Sequence, residues 1–165
     1  IRAMPRVVAV IGRGECSDAE ATVAAEVGSR LADSGAILIC GGLGGVMEAA
    51  CRGARAKGGF TVGILPGNDR HGANEWVSLA IAAGTGQARN MAVVRSADAV
   101  IAVGGAFGTL SEIAFALDSG IPVVGIGTWK LARGGMAGSL VVEATNAEEA
   151  VDTALRLVAE RSTAQ

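Results

Sequence analysis

Three glycine-rich turns, one arginine and one glutamate hold most of the chemistry this sequence offers. Ala97 to Glu112 reads as a buried strand, then the turn Gly104-Gly105-Ala106-Phe107-Gly108-Thr109, then the first turn of a helix. Such a turn leaves backbone N–H groups unpaired at the positive end of a helix, a ready seat for phosphate. A second turn, Gly41-Gly42-Leu43-Gly44-Gly45, has Met47 just beyond it, and Gly12-Arg13-Gly14 follows the first strand onto the same rim. Arg89 lies at the start of the helix that precedes the Gly104 strand. From there its guanidinium can fork onto a phosphate with two parallel hydrogen bonds, and Arg13 is a second cation on that rim. Glu112 is the odd member. Beside a phosphate it would repel, so it is expected to face a neutral part of the ligand, as a hydroxyl clamp or a catalytic group.

A single glycine turn serves any tight strand-to-helix connection. Two such turns, the second carrying Thr109 and Glu112, make a ligand site the better reading. The dinucleotide fingerprint is missing: Cys16 and Ser17 follow Gly12 and Gly14, Met47 takes the place of a last glycine, and no acidic residue ends the next strand. A nicotinamide dehydrogenase is thereby disfavoured. Cys16, Cys40 and Cys51 show neither a CxxC pair nor metal-ligand spacing, which fits a reducing, cytoplasmic setting. Cys40 and Cys51 are expected to be buried, inert thiols; Cys16, in a loop by the site, is the one candidate for metal contact, and no metal-ligand set is expected. His71 falls in a polar loop and is expected to be solvated. Trp76 and Trp129 sit near strand ends, where each either stacks on a flat heterocycle or covers the core.

Composition narrows the classes further. The chain has 165 residues, half of them hydrophobic, with a formal charge of −2 and no basic run. Nucleic acid is not an expected partner, because a Lys/Arg patch would mark one. No apolar run nears the roughly 20 residues that span a bilayer, and no secretory signal is read at the start. Ile1, Arg2 and Ala3 precede Met4 and are expected to be additions outside the domain, which is placed at residues 4–162 as a single unit.

The elements that must hold these residues alternate along the chain. Strands are expected at 7–11, 36–40, 60–65, 77–82, about 99–103, 123–126 and 140–143. Helices are expected at 18–33, 46–57, 86–96, 109–118 and 147–161, with 66–74 as a polar loop able to fold over a ligand. Continuous apolar strands separated by helices imply a mainly parallel sheet covered on both faces. That is a doubly wound, Rossmann-like α/β fold, with ligands at the carboxyl ends of the strands. Met91 to Val94 and Ile113 to Leu117 are apolar nearly all round, so these helices are expected to pack across a two-fold axis in a homo-oligomer.

Four segments in order, Cys40 to Glu48, Thr61 to Gly67, Ala88-Arg89-Asn90 and Gly104 to Glu112, resemble the LOG-like superfamily of Rossmann-type proteins. Its members often carry a lysine-decarboxylase label, and the nearest likeness is to the molybdenum cofactor carrier group. The cytokinin-activating phosphoribohydrolases of that superfamily have a PGGxGTxxE turn preceded by an Arg-Lys pair. Here Gly105, Gly108, Thr109, Glu112 and Arg89 match, while Gly104, Ala106, Asn90 and Ser111 replace proline, glycine, lysine and glutamate. The resemblance implies a non-enzymatic carrier that binds, protects and hands on molybdenum cofactor, a pterin with a terminal phosphate and a metal-holding dithiolene. Its cofactor-binding residues would be Gly12, Arg13, Gly41, Gly42, Gly44, Gly45, Met47, Arg89, Gly104, Gly105, Ala106, Phe107, Gly108, Thr109 and Glu112. Molybdoenzymes would be the recipients, a homotetramer the assembly, and no catalytic residue is expected. The alternative is a nucleoside 5′-monophosphate phosphoribohydrolase that uses Arg89 and Glu112.

Overall fold

Among the described residues seven strands form one parallel sheet, whose central strands are apolar runs covered on both faces while Leu79–Ala82 and Val142–Glu143 lie largely exposed at its edges. The computed structural model describes residues 4–164, so the expectation for residues 1–3 lies outside the described residues. In chain order the elements are β1 (Val7–Gly12), α1 (Asp18–Asp33), β2 (Ile37–Cys40), α2 (Val46–Ala56), β3 (Thr61–Leu65) and β4 (Leu79–Ala82). A 3-10 turn (Gly86–Ala88) then leads into α3 (Arg89–Arg95), β5 (Ala99–Val103), α4 (Phe107–Asp118), β6 (Val123–Ile126), β7 (Val142–Glu143) and α5 (Ala147–Thr163). The sheet runs β4-β3-β2-β1-β5-β6-β7 with every adjacent pair parallel. The chain therefore winds outward from β1 in one direction and from β5 in the other, which is the doubly wound α/β arrangement.

Strand alternation sorts the core into two layers. Val8, Val10, Leu38, Cys40, Ile101 and Val103 pack against α1, α2 and α5. Ala9, Ile11, Ile39, Val100 and Ala102 pack with Val93 and Val94 of α3 and Ile113 and Ala116 of α4. Ser17 and Glu20 close a reciprocal capping box at the start of α1, and Asn146 caps α5. Asp98 stitches the sheet below the site, its carboxylate accepting the Val7 N–H at 2.8 Å. Among the described residues no helix is long and apolar enough to cross a membrane.

Of the boundaries that differ from the sequence reading, four have a local reason. β4 begins at Leu79 because the Val77 N–H donates to the Asn74 carbonyl and the Ser78 N–H to Thr61, ahead of any pairing along β3. The helix expected over 86–96 opens as a 3-10 turn at Gly86, whose φ of 58° suits glycine. β7 is cut to two residues because Ser139 Oγ takes the Val141 N–H at 3.1 Å. α4 begins at Phe107, two residues early, and so carries Glu112 past the first helical turn.

Candidate functional site

The order of the sheet reverses between β1 and β5, and the loops leaving these two strands part there to open a crevice. A cleft of about 260 Å³ occupies it, lined by Gly12, Arg13 and Gly14 after β1, Met47 of α2, Arg89 and Asn90 of α3, and Ala106, Gly108, Thr109 and Glu112 at α4. Among the described residues five polar side chains are buried, and four of them, Arg89, Asn90, Thr109 and Glu112, line this cleft. Buried polar groups are expensive unless they are partnered or functional. Their convergence marks the site.

Arg89 is 7 % exposed, yet its hydrogen bonding is incomplete. One terminal nitrogen donates to Asn90 Oδ1 and the other to the Gly41 carbonyl at 3.3 Å, while Nε has no partner. Gly41 is glycine for want of space, since a Cβ there would lie 2.7 Å from the guanidinium and 2.8 Å from Met47 Sδ. Across the cleft, Ala106 is the N-cap of α4 and no side chain caps that helix. The first N–H groups of α4 therefore face the cleft without a capping oxygen, the arrangement that receives an anion. Gly105 has φ 111°, and a Cβ on it would meet Thr109 at 2.5 Å, so this turn admits only glycine.

Glu112 is 9 % exposed and sits in the second turn of α4. There the helix dipole gives it little support. Burial pushes its carboxyl up to about 7, and the nearby Arg89 only partly offsets this. The ion pairs found among the described residues join other partners, so Arg89 and Glu112 share the cleft without closing on each other. Burial in turn lowers Arg89 from its ordinary value, and the Glu112 charge opposes that.

The expected residues separate into four groups. Gly12, Arg13, Met47, Arg89, Ala106, Gly108, Thr109 and Glu112 line the cleft. Gly41, Gly104 and Gly105 stand behind it as backbone support: Gly41 through its carbonyl, Gly104 through an N–H to Ile126 and a close approach of Glu20. Gly42, Gly44 and Gly45 are not part of its lining. The Gly42 carbonyl takes the Asn74 N–H, a Cβ on Gly44 or Gly45 would strike the Arg13-Gly14 loop, and the Val46 N–H donates to Arg13. The α2 terminus is thus partly occupied by protein backbone. Phe107 is on the rim with its ring against Trp129. Gly14 and Asn90 complete the lining, and their neighbours Arg13 and Arg89 were the signal that placed them there.

Outside the cleft, Cys40 and Cys51 are buried with their sulfurs 3.5 Å apart, and the Gly42 N–H also reaches Cys40 Sγ at 3.3 Å. Both are buried free thiols, and the packing of α2 on β2 brings them together across eleven positions of sequence. Cys16 is half-buried, and among the described residues no three His, Cys, Asp or Glu side chains gather as metal ligands. His71 is solvent-exposed. Trp76 packs on the core, and the Asn68-Asp69-Arg70 loop is exposed and outside the cleft lining. A larger depression of about 560 Å³ opens at the other end of the sheet beside Arg95, Asp98, Asp118 and Arg161. It contains none of the buried polar groups, and Arg161 there already donates to the Asp98 carbonyl at 2.9 Å.

Comparison with known proteins agrees with this architecture. The model of the SLOG cluster4 family matches residues 5–159. The molybdenum cofactor binding protein of the phototrophic bacterium Rippkaea orientalis superposes with a TM-score of 0.88 at 33 % identity, over 95 % of this chain and 99 % of that one. The molybdenum cofactor carrier protein of Chlamydomonas reinhardtii gives 0.84 at 32 % identity, over 94 % and 99 %. An uncharacterized protein of Archaeoglobus fulgidus is 49 % identical over 113 residues, 68 % of this chain and 74 % of its own length.

Proposed function

We propose that this chain, which belongs to the SLOG cluster4 family, is a carrier that binds, shields and hands on molybdenum cofactor without transforming it. The observation that carries the reading is the buried Arg89 guanidinium, its Nε unpartnered, facing the uncapped start of α4 across one cleft. That pair of features suits a terminal phosphate, held by charge on one side and by backbone N–H groups on the other. The two relatives named for molybdenum cofactor supply the identity of the cargo. Thr109 and Asn90 offer neutral hydrogen-bond partners beside the phosphate seat, and Gly105 supplies the positive-φ turn that leads into the α4 terminus. The metal stays with the cargo's own dithiolene. Molybdoenzymes are the recipients and a cytoplasmic homotetramer is the working assembly.

A second reading has its own support. Arg89 and Glu112 in one cleft are the two groups a nucleoside 5′-monophosphate phosphoribohydrolase would use, Glu112 to stabilise a developing oxocarbenium ion. Against it stand Asn90, Ala106 and Ser111, which replace that enzyme pattern's lysine, glycine and glutamate. Incubation with AMP and with a cytokinin riboside monophosphate separates the readings. The carrier releases no free base, whereas base release that Glu112→Gln abolishes would establish the hydrolase.

A further inference from the structure

Phe107 is 78 % exposed at the start of α4, with both of its chain neighbours, Ala106 and Gly108, lining the cleft. A phenyl ring left in water at the lip of a polar site does nothing for the fold. It is also not loose. Its centroid lies 5.5 Å from that of Trp129 at an interplanar angle of 42°. Trp129 is anchored in turn, its indole N–H donating to the Ala106 carbonyl at 3.0 Å, the same oxygen that takes the Leu110 N–H at 2.9 Å. The segment after β6 is thereby tied to the phosphate turn, and the exposed Phe107 ring stands just outside the cleft lining, between Ala106 and Gly108 that belong to it.

We propose that the Phe107–Trp129 pair is a stacking shelf for a planar nitrogen heterocycle, and that it orients a ligand whose phosphate lies between Arg89 and the α4 terminus. The proposal rests on the phosphate placement under Proposed function but not on the identity of the cargo, since a pterin and a purine present the same kind of face. The division of labour is by chemistry. Charge and backbone N–H groups select the phosphate, and the open aromatic face selects a flat ring over a bare sugar phosphate. Phe107 makes the contact. Trp129 is a positioning residue that holds both the Ala106 peptide and the Phe107 ring.

Calorimetric titration of the intact protein with a pterin monophosphate, AMP and ribose 5-phosphate tests the shelf. The wild type is expected to hold the ring-bearing probes about tenfold or more tighter than ribose 5-phosphate, the scale of one aromatic stack. Phe107→Ala should collapse that gap and leave ribose 5-phosphate unchanged, and Phe107→Tyr, which keeps the ring, should restore it. Trp129→Phe should narrow the gap without removing it. A wild type with no gap, including one that binds none of the probes, overturns the proposal. So does a Phe107→Ala that weakens all three probes alike, or one that alters only the assembly mass in light scattering, which would assign the ring to a subunit contact. The carrier reading fails on a different result: a persistent gap in a protein that does not bind intact molybdenum cofactor.

Discussion

Arg89 and Glu112 are the two residues on which the chemistry of the cleft turns, and burial acts on both. Arg89→Ala is expected to weaken a phosphate-bearing ligand by about 1.5–3 kcal/mol, the usual scale for losing charge-assisted hydrogen bonds. Arg89→Lys should recover only part, because an ammonium cannot serve Asn90, Gly41 and a phosphate in one plane. Unchanged affinity in the alanine variant, measured by calorimetry, would make Arg89 a structural residue. Glu112 gives a pH signature. Its ordinary value is 4.5 and its folded value is about 7, so across that window the unfolded chain releases a proton that the folded chain keeps. Stability from this group therefore falls as pH rises from about 4.5 to about 7 and levels off above. Anion binding follows the same sense, since a neutral Glu112 does not repel. Affinity for inorganic sulfate, whose charge is constant over this range, should drop about tenfold from acid to alkaline side of neutrality, the order of one like charge in a partly screened site. Glu112→Gln should flatten that profile, and an equally steep profile in the variant would place the titrating group elsewhere. Both residues were legible in the sequence, Arg89 from its place beside two glycine turns. The protonation of Glu112 was not, because the helix start that decides its depth lies at Phe107 and no capping residue in the sequence marks it.

The elements that position these residues depend on close helix contacts made by glycine. α1 and α2 cover the same face of the sheet, and a Cβ on Gly28 would come within 1.9 Å of the Ala50 carbonyl oxygen. One on Gly53 would come within 1.8 Å of the Ala25 carbonyl oxygen. Gly28→Ala should therefore cost about 1–3 kcal/mol by overpacking, or several degrees of melting temperature at about 2–4 °C per kcal/mol for a chain of this size. Gly72→Ala, where a Cβ meets nothing within 4 Å and φ is not positive, is the matched control and should leave the melting temperature in place. Equal effects at the two positions would show that the α1–α2 approach is not fixed by glycine. Sequence patterning carried most of this scale, since apolar runs of four to six residues bounded by glycine or proline read directly as buried strands. It ran out where tertiary partners override local pattern. Thr61 and Asn74 delay β4, and Ser139 shortens β7. The Cys40–Cys51 contact depends on how α2 lies over β2, which no spacing rule encodes.

For the whole molecule, the doubly wound order brings loops far apart in sequence to one crevice; the fold class alone pointed to the carboxyl ends of the strands, and the strand order narrows the candidate site to those of β1 and β5. What the sequence left open was which glycine turn faces that crevice. The Gly104 turn does, while half of the Gly41–Gly45 turn is taken up by Asn74 and the Arg13-Gly14 loop, contacts visible only in three dimensions. The outer surface carries its own expectation. Ala92, Ala114 and Phe115 leave α3 and α4 with an exposed apolar face on helices already docked by Val93, Val94, Ile113 and Ala116. A symmetric homo-oligomer should hide that face. Light scattering should give a multiple of the 16.4 kDa chain mass, and a mass of one chain would contradict it. The central claim, that the cleft holds and shields a phosphate-bearing pterin cargo without turning it over, is met most directly by one experiment. Molybdenum cofactor is released under anaerobic conditions, mixed with the wild type or with Arg89→Ala, exposed to air, and assayed over time for its capacity to reconstitute a cofactor-free molybdoenzyme. The wild type should prolong cofactor survival severalfold over buffer and then surrender it intact, with Arg89→Ala close to buffer. Decay in the presence of the wild type as fast as in buffer would contradict the carrier account.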